Sequence, residues 1–344
     1  MSAAFWNKDK KVPNIELQTL TDIVVKVFEN SNTTPENAAV VADALVKAEA
    51  DGLASHGLSR VASYADQALT GKVDGNVLPV LNQTGTAAAS VNAKNGFAYP
   101  AINMGLAWAI DHCFEAGIVG VGISNSHHSG VAGHHVETLA NAGFMALGFT
   151  NSPAGISPWG GNRALYGTNP IAFACPRSDN EPLVVDLSMS KVARGKIKLA
   201  ADNGDPIPEG WAVDVDGQPT TDASAAMAGT MLPMGDAKGA ALTLVVEMLA
   251  ATLTGSNHGF EASPFFGADG PPPGVGQFFI AMNPPAFAGD AFADRAEVLL
   301  AAILEQPGTR LPGQRRFDNR ASAASDGIDV SEALYDDLKK RTGG

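Results

Sequence analysis

The texture of the chain changes at Gly75, and that change restricts the fold more than any other feature. Before it, apolar residues recur at helical spacing. Leu20, Ile23, Val24, Val27 and Phe28 share one face of a helix predicted over 17–30, with Thr19 and Asp22 placed as its capping pair. Thr34-Pro35-Glu36 supplies a cap, a first-turn proline and an acidic first turn, which predicts a second helix to about Ala50. A third is predicted over 59–69, stopped by Gly71. After Gly75, short apolar runs alternate with Gly, Pro and Asn, and strands are predicted at 86–93, 118–124, 145–150, 171–175, 183–187 and 277–282. Helices are predicted at 100–116, 191–201, 237–254, 290–306 and 331–341. The segment 206–219 reads as loop, and 255–275, rich in Gly, Pro and Phe, as an extended loop over a site or an interface. This order specifies an α/β (α+β) protein. A helical module of residues 1–75, completed by 290–344, packs on a larger mixed-sheet body of 76–289.

Composition narrows the partners. At 344 residues and 45% hydrophobic, the chain can bury a large core. Its formal charge of −13 repels nucleic-acid phosphate and argues against a DNA or RNA partner. The apolar run 240–253 contains Glu247 and is too short to span a bilayer, so no membrane role is expected. The first thirteen residues are polar and charged, unlike a secretory leader. Cys113 and Cys175, each in apolar sequence, read as buried free thiols of a reducing, cytoplasmic compartment.

Against that acidity, two basic islands stand out. Lys191, Arg194, Lys196 and Lys198 form one; Arg310, Arg315, Arg316 and Arg320 form the other. Each reads equally as an anion site or as solvated charge.

The chemistry-bearing stretch is Ala50-Asp51-Gly52-Leu53-Ala54-Ser55-His56-Gly57-Leu58-Ser59-Arg60. An imidazole titrates near neutrality and a guanidinium grips a carboxylate through two parallel hydrogen bonds, so His56 and Arg60 suit proton transfer to a small acid. The competing reading is a helix ending at Gly57, with Ser55 and His56 as ordinary last-turn residues. A serine hydrolase is disfavoured, because adjacent helical residues point about 100° apart and no G-x-S-x-G elbow occurs. Ser126-His127-His128-Ser129-Gly130-Val131-Ala132-Gly133-His134-His135 holds four of the seven histidines. A metal-binding reading of this cluster lacks HExxH spacing and a cysteine pair, so ligand contact or packing in a loop is preferred and no metal is assigned. Gly117-Ile118-Val119-Gly120-Val121-Gly122 has its glycines in the wrong order for a dinucleotide fingerprint and precedes its strand, so no Rossmann unit is read. Gly160-Gly161 and Gly167-Thr168-Asn169-Pro170 read as turns.

Taken together, these segments resemble the malate/L-lactate dehydrogenase family of non-Rossmann oxidoreductases, which includes sulfolactate dehydrogenases and Δ1-piperideine-2-carboxylate reductases. The motifs are Asp51-Gly52 with Ser55-His56-Gly57 and Arg60; Ser126-His127-His128; Gly167-Thr168-Asn169-Pro170; Asp186-Leu187-Ser188; Ala193-Arg194-Gly195-Lys196; Pro208-Glu209-Gly210-Trp211; Pro219-Thr220-Thr221-Asp222; Lys238-Gly239; and Leu311-Pro312-Gly313-Gln314-Arg315-Arg316. The resemblance implies a proton donor in His56, a hydrogen-bonded partner in Ser55 and a carboxylate clamp in Arg60. It implies substrate contacts from His128, Thr168, Arg194 and Gly195. Contacts to NAD(P)H, with a slight preference for NADPH, are implied from Asp186, Leu187, Ser188, Lys238, Arg310, Leu311, Pro312, Gly313, Gln314, Arg315 and Arg316, and the protein is expected to be a homodimer.

Two departures from the pattern matter. Imine-reducing relatives carry an acidic residue where Lys196 stands. A lysine near His56 would lower the imidazole pKa and polarise a carbonyl oxygen, which suits reduction of a 2-oxo acid of malate, lactate or sulfolactate type better than of a cyclic imine. In Gly235-Asp236-Ala237-Lys238-Gly239, many relatives instead have a second glycine and a histidine before the lysine, which leaves the NADH-versus-NADPH choice open. A cyclic imine reductase and a histidine-cluster metal protein are the alternatives.

Overall fold

The computed structural model describes residues 13–343; the polar segment 1–12, most of the stretch read against a secretory leader, lies outside them. β1 (Asn14–Ile15) leads into α1 (Leu17–Glu29). Glu16 is therefore the N-cap, and Asp22 accepts a hydrogen bond from Gln18, so the expected Thr19–Asp22 capping pair lies inside the helix. α2 (Pro35–Ala50) starts as its sequence predicts, with the Thr34 side chain accepting from the Asn37 N–H. Two 3-10 turns, Ala54–His56 and Leu58–Arg60, separate it from α3 (Val61–Thr70), which Gly71 ends at φ 78°.

The body continues through β2 (Val80–Gln83), β3 (Ala88–Asn92), α4 (Ala98–Ala116), β4 (Ile118–Ser126), α5 (Ala132–Asn141), β5 (Met145–Thr150), β6 (Ile171–Cys175) and β7 (Leu183–Leu187). A small lobe follows, made of α6 (Arg194–Asn203), β8 (Ala212–Val213), β9 (Pro219–Thr220), α7 (Ala223–Ala228) and β10 (Thr230–Met231) around Ile156, Ile197 and Met231. α8 (Asp236–Glu247) runs on through a π-helical stretch, and β11 (Val275–Met282), α9 (Pro285–Ala288), α10 (Ala291–Leu304), α11 (Gln314–Asp326), β12 (Ile328–Asp329) and α12 (Glu332–Arg341) complete the order. The sequence pattern had predicted neither α5 nor α11, and it had read 206–219 as loop where β8 now lies.

Among the described residues the main sheet has seven strands in the order β2-β3-β4-β11-β5-β6-β7, with only β3 and β4 parallel. β11 comes from late in the chain to fill the centre, so the sheet is closed over a long sequence separation. The glycines of 117–122 serve this packing. A Cβ at Gly120 would sit 3.1 Å from the Phe278 ring, and one at Gly122 would sit 3.2 Å from Thr254. They admit neighbours onto the sheet, which explains a glycine-rich strand without a phosphate loop. One core packs α4 and α5 on the sheet, and a second joins α1, α2 and α3 with Ile328, Val330 and Leu338 from the carboxyl end. No described helix is long and apolar enough to cross a membrane.

A charged network ties these parts together. Arg320 of α11 bonds Asp51, at the end of α2, through Nε at 2.7 Å and Nη2 at 2.8 Å. It also reaches Glu137 of α5 through Nη1 at 2.6 Å, and Lys47 approaches the same carboxylate at 3.2 Å. His134 of α5 meets the other side of Asp51 at 2.8 Å. Burial alone would raise the Asp51 pKa, but the Arg320 and His134 hydrogen bonds outweigh it and hold the carboxyl at about 2. This contribution is complete above about pH 4 and is lost as pH falls through about 2. Arg320, read as part of an anion site, is instead saturated by the protein's own carboxylates. Arg320→Ala would leave Asp51 with His134 alone and Glu137 with Lys47 alone, so urea unfolding should show a loss of about 3 kcal/mol. A loss below about 1 kcal/mol would mean that the network is incidental.

Candidate active site

The site begins at the break between α2 and α3. Glu49 Oε2 accepts the Leu58 N–H at 2.8 Å, and a side chain at Gly57 would collide with the Glu49 backbone. The turn therefore lies flat on the last turn of α2. Within it, Ser59 donates to the Ala54 carbonyl at 2.6 Å and Arg60 Nε donates to the Ser55 carbonyl at 2.7 Å, which curls the guanidinium back over the turn. Ser55 Oγ lies 2.9 Å from His56 Nδ1, the contact implied by the resemblance. The two side chains meet although neighbours in a 3-10 turn lie about 120° apart, because the short turn Ala54–His56 ends at Gly57 and each side chain bends toward the other.

Arg60 is 9% exposed. Its Nη1 has no hydrogen-bond partner, and no carboxylate among the described residues pairs with it. Its guanidinium lies 4.4 Å from the centre of the Phe266 ring. A buried cation that keeps one fork open is a demand for an anion. The imidazoles around it carry no compensating charge. Burial first, then the charges of Arg60 and His134, lower the His56 pKa to about 4. Burial and Arg60 also hold His128 well below its usual range, and burial, Lys72 and Arg60 lower His127 to about 3.

The other histidines divide by partner. His127 bonds Gln67 Oε1 at 2.9 Å, His135 the Ser129 carbonyl at 2.8 Å, and His134 Asp51. The His128 Nδ1 meets the Tyr64 hydroxyl, and its ring centre lies 5.4 Å from that of His56. His134 and His135 belong to α5 and are buried, which corrects their reading as loop residues. Among the described residues no group of three or more His, Cys, Asp or Glu could hold a metal ion. The loop 255–275 does cover the site. Lys72 Nζ donates to the carbonyls of Pro264, Gly267 and Asp269, and Gln67 donates to that of Phe265. Phe265 packs with its ring tilted against those of His127 and His128.

A second cluster lies at the start of α5. The Gly133 N–H donates to Asp186 Oδ2 at 2.8 Å, and Arg316 Nη1 stands 3.8 Å from the same oxygen. Arg316 is buried with Nη1 unpartnered, and any side chain at Gly133 would strike its guanidinium. Gly313, at φ 83°, packs its Cα on the Val184 carbonyl, which seats the 310–316 turn beside β7. Leu311 is buried beneath this turn, while Arg310, Pro312, Gln314 and Arg315 face outward and Leu187 and Ser188 are exposed at the end of β7. Arg316 and the Gly133 N–H converge on Asp186, so α5, β7 and the 310–316 turn meet there beside the exposed end of β7; these are the residues that could hold a dinucleotide phosphate. Thr168 adjoins this cluster: its carbonyl accepts from Met189 N at 2.8 Å and its N–H bonds Ser152 Oγ at 3.1 Å.

The remaining expected residues are less closely tied in. Arg194 reaches the Met227 carbonyl at 3.3 Å, and Gly195 and Lys196 are exposed at the start of α6. Lys238 is exposed in the first turn of α8. The cations that act on His56 are Arg60 and His134, so Lys196 does not hold the place beside the imidazole expected of it. Sequence reasoning gave no role to Tyr64, Phe265, Phe266 or Gly133. Tyr64 carried only the signal of an apolar helical position, and Phe265 and Phe266 only that of a loop rich in aromatics.

A half-buried imidazole beside an open guanidinium, carried by a protein whose mixed sheet has no Rossmann unit, suits an oxidoreductase of a non-Rossmann class. The chain belongs to the malate/L-lactate dehydrogenase family, whose profile matches residues 15–339. It is 49% identical, over 94% of its length and 97% of the relative's, to the (2R)-3-sulfolactate dehydrogenase (NADP(+)) of Chromohalobacter salexigens. The crystal structure of Δ1-piperideine-2-carboxylate reductase from Pseudomonas syringae pv. tomato superposes with a TM-score of 0.91 at 38% identity, covering 96% of this chain and 99% of that one. Sulfolactate dehydrogenase from Methanocaldococcus jannaschii gives 0.87 at 29% identity, covering 96% and 97%. The chain is a dehydrogenase/reductase enzyme of this family and an NAD(P)-dependent oxidoreductase.

Removing the Arg60 charge should make the His56 imidazolium easier to form. In Arg60→Gln, the His56 ring-proton NMR titration should move up from about 4. An unmoved midpoint would show that burial alone sets it.

Proposed function

We propose that the protein interconverts a small 2-oxo acid and its 2-hydroxy acid, with sulfopyruvate and sulfolactate as the preferred pair and NADP(H) as the preferred cofactor. The open fork of buried Arg60 beside neutral His56 carries this reading. Arg60 binds the substrate carboxylate. That charge neutralises the cation that depresses His56, so the imidazole takes up a proton and gives it to the C2 oxygen. Ser55 orients the ring through Nδ1, and His128, its ring centre 5.4 Å from that of His56, contacts the substrate beside it. The nicotinamide supplies or accepts the hydride when bound. Asp186, Leu187, Ser188, Lys238 and 310–316 would hold the dinucleotide, with Arg316 as the buried cation and Arg310 and Arg315 as exposed ones.

The 49% likeness to an NADP(+) sulfolactate enzyme supports the choice of substrate and cofactor. So do Arg194, Gly195 and Lys196, with Thr168 near them in the reading: two exposed cations at one helix start suit a substrate's second anionic group. We take Lys196 as a specificity residue. Exposed Leu242, Leu244, Val245 and Met248 along α8 support a homodimer, and two buried free thiols a cytoplasmic setting. A cyclic imine reductase is the second reading, favoured by the 0.91 superposition on such an enzyme.

A panel of pyruvate, oxaloacetate, sulfopyruvate and the two cyclic imines with NADH and NADPH decides between them. Sulfopyruvate with NADPH should give the highest kcat/KM, and a higher value for an imine would overturn the assignment. His56→Ala should lose at least about 100-fold in kcat while still binding NADPH. Arg60→Ala should mainly raise KM. Lys196→Ala should raise KM about tenfold for sulfopyruvate and little for pyruvate; equal effects on both would remove it from the second-anion site.

A further inference from the structure

Behind His128 lies a pair of buried phenols that the proposed mechanism does not use. Tyr64 is fully buried and its hydroxyl meets His128 Nδ1 in a short hydrogen bond. On its other side the Tyr64 hydroxyl is coupled electrostatically to that of Tyr99, which acts on it as a donor. Tyr99 is itself buried and packs on the backbone of Gly130, at φ 66°, where any side chain would collide with its hydroxyl. Three hydrogen-bonding groups thus stand in line from the core to the site.

Their protons can be placed in two directions. Running outward, the Tyr99 O–H donates to the Tyr64 oxygen and the Tyr64 O–H donates to His128 Nδ1, so each phenol proton has an acceptor. Running inward, His128 Nδ1–H donates to Tyr64 and Tyr64 donates to Tyr99. The described residues show no other hydrogen bond of the Tyr99 hydroxyl, so its proton is then left without a protein acceptor, which disfavours this direction. Both phenols stay protonated in any useful pH range, since burial pushes Tyr64 to about 12 and Tyr99 well above its usual value. The outward direction is therefore the stable one. With Nδ1 occupied as an acceptor, the single proton of the neutral ring sits on Nε2. His128 is partly exposed, so Nε2 is the ring atom left to meet a ligand.

We propose that Tyr64, backed by Tyr99, is a positioning residue that locks His128 as the Nε2–H tautomer and so makes it a neutral hydrogen-bond donor to a substrate oxygen. The substrate half of this statement rests on the oxo-acid reading above; the tautomer half does not. The arrangement adds a donor to the site without adding a second cation beside Arg60. A protonated His128 would compete with His56 for the role of acid. A reversed tautomer would present a lone pair to an anion.

The test reads the tautomer first. In 15N NMR of uniformly 15N-histidine-labelled wild-type enzyme at pH 7, with His128 assigned by its absence from His128→Asn, Nε2 should show the protonated and Nδ1 the unprotonated shift. Protonation on Nδ1 would overturn the proposal, whatever the substrate proves to be. Tyr64→Phe keeps the ring but removes the hydroxyl, and should convert His128 to a mixture of tautomers. It should also raise KM for the turned-over 2-oxo acid about five- to tenfold with kcat changed less than threefold, as loss of one neutral hydrogen bond requires. Tyr99→Phe should have a smaller effect on both. Unchanged tautomer populations in a folded Tyr64→Phe enzyme would also overturn the proposal. A locked Nε2–H form in an enzyme that reduces imines and no oxo acid would remove the substrate half while leaving the tautomer half in place.

Discussion

The structure hangs on the pairing of Arg320 with Asp51. Asp51 ends α2 just before the catalytic turn, and Arg320 comes from α11, nearly at the other end of the chain. Glu137 and His134 bring α5 into the same knot, and α5 begins at Gly133 beside Asp186 and Arg316. One buried set of charges thus ties together the His56 turn, α5 and the basic helix α11. Buried ion pairs contribute less net stability than their Coulomb energy suggests, because desolvation opposes it. Their geometry is demanding, however, and here it fixes register where α11 adds Phe317 and Ala323 to the two apolar cores.

That placement also accounts for the electrostatics of the site. Arg60 is buried without a counter-ion, and every neighbouring imidazole responds by remaining neutral. The empty site therefore holds one unpaired positive charge and a base poised to receive a proton. In the proposed reaction a carboxylate that enters removes the repulsion and creates the acid it needs, so that specificity for anions and activation of His56 become two consequences of one guanidinium.

Much of this was legible in the sequence where local pattern and chemistry coincide. The strands from 118 to 187 and the cap at Thr34 follow from periodicity and turn residues, and the Ser55, His56 and Arg60 cluster follows from the residue types and from the family resemblance. α5 escaped notice because its apolar positions, Ala132, Val136, Leu139 and Ala140, are interleaved with two histidines and a glycine that drew a functional reading. α11 escaped because it has only Phe317, Ala323 and few other apolar contacts; it is held by Arg320, whose partners are far away in sequence. Arg320 looked like an anion site for the same reason. Lys196 was expected beside His56 because charge and motif order say nothing of the distance between two lobes.

The family contains enzymes named for oxo acids and for cyclic imines, and in this chain the difference turns on what His56 must do. Reduction of an oxo acid needs a proton for the C2 oxygen, and in the proposed reading His56 gains it as the carboxylate binds, a linkage that can be measured directly. Calorimetric binding of oxalate, an unreactive dianion, to the NADPH complex in buffers of different ionisation enthalpy reports protons taken up. The account predicts uptake approaching one proton at about pH 6, abolished in His56→Gln. Tight binding with no uptake anywhere from about pH 4 to pH 7 would contradict it.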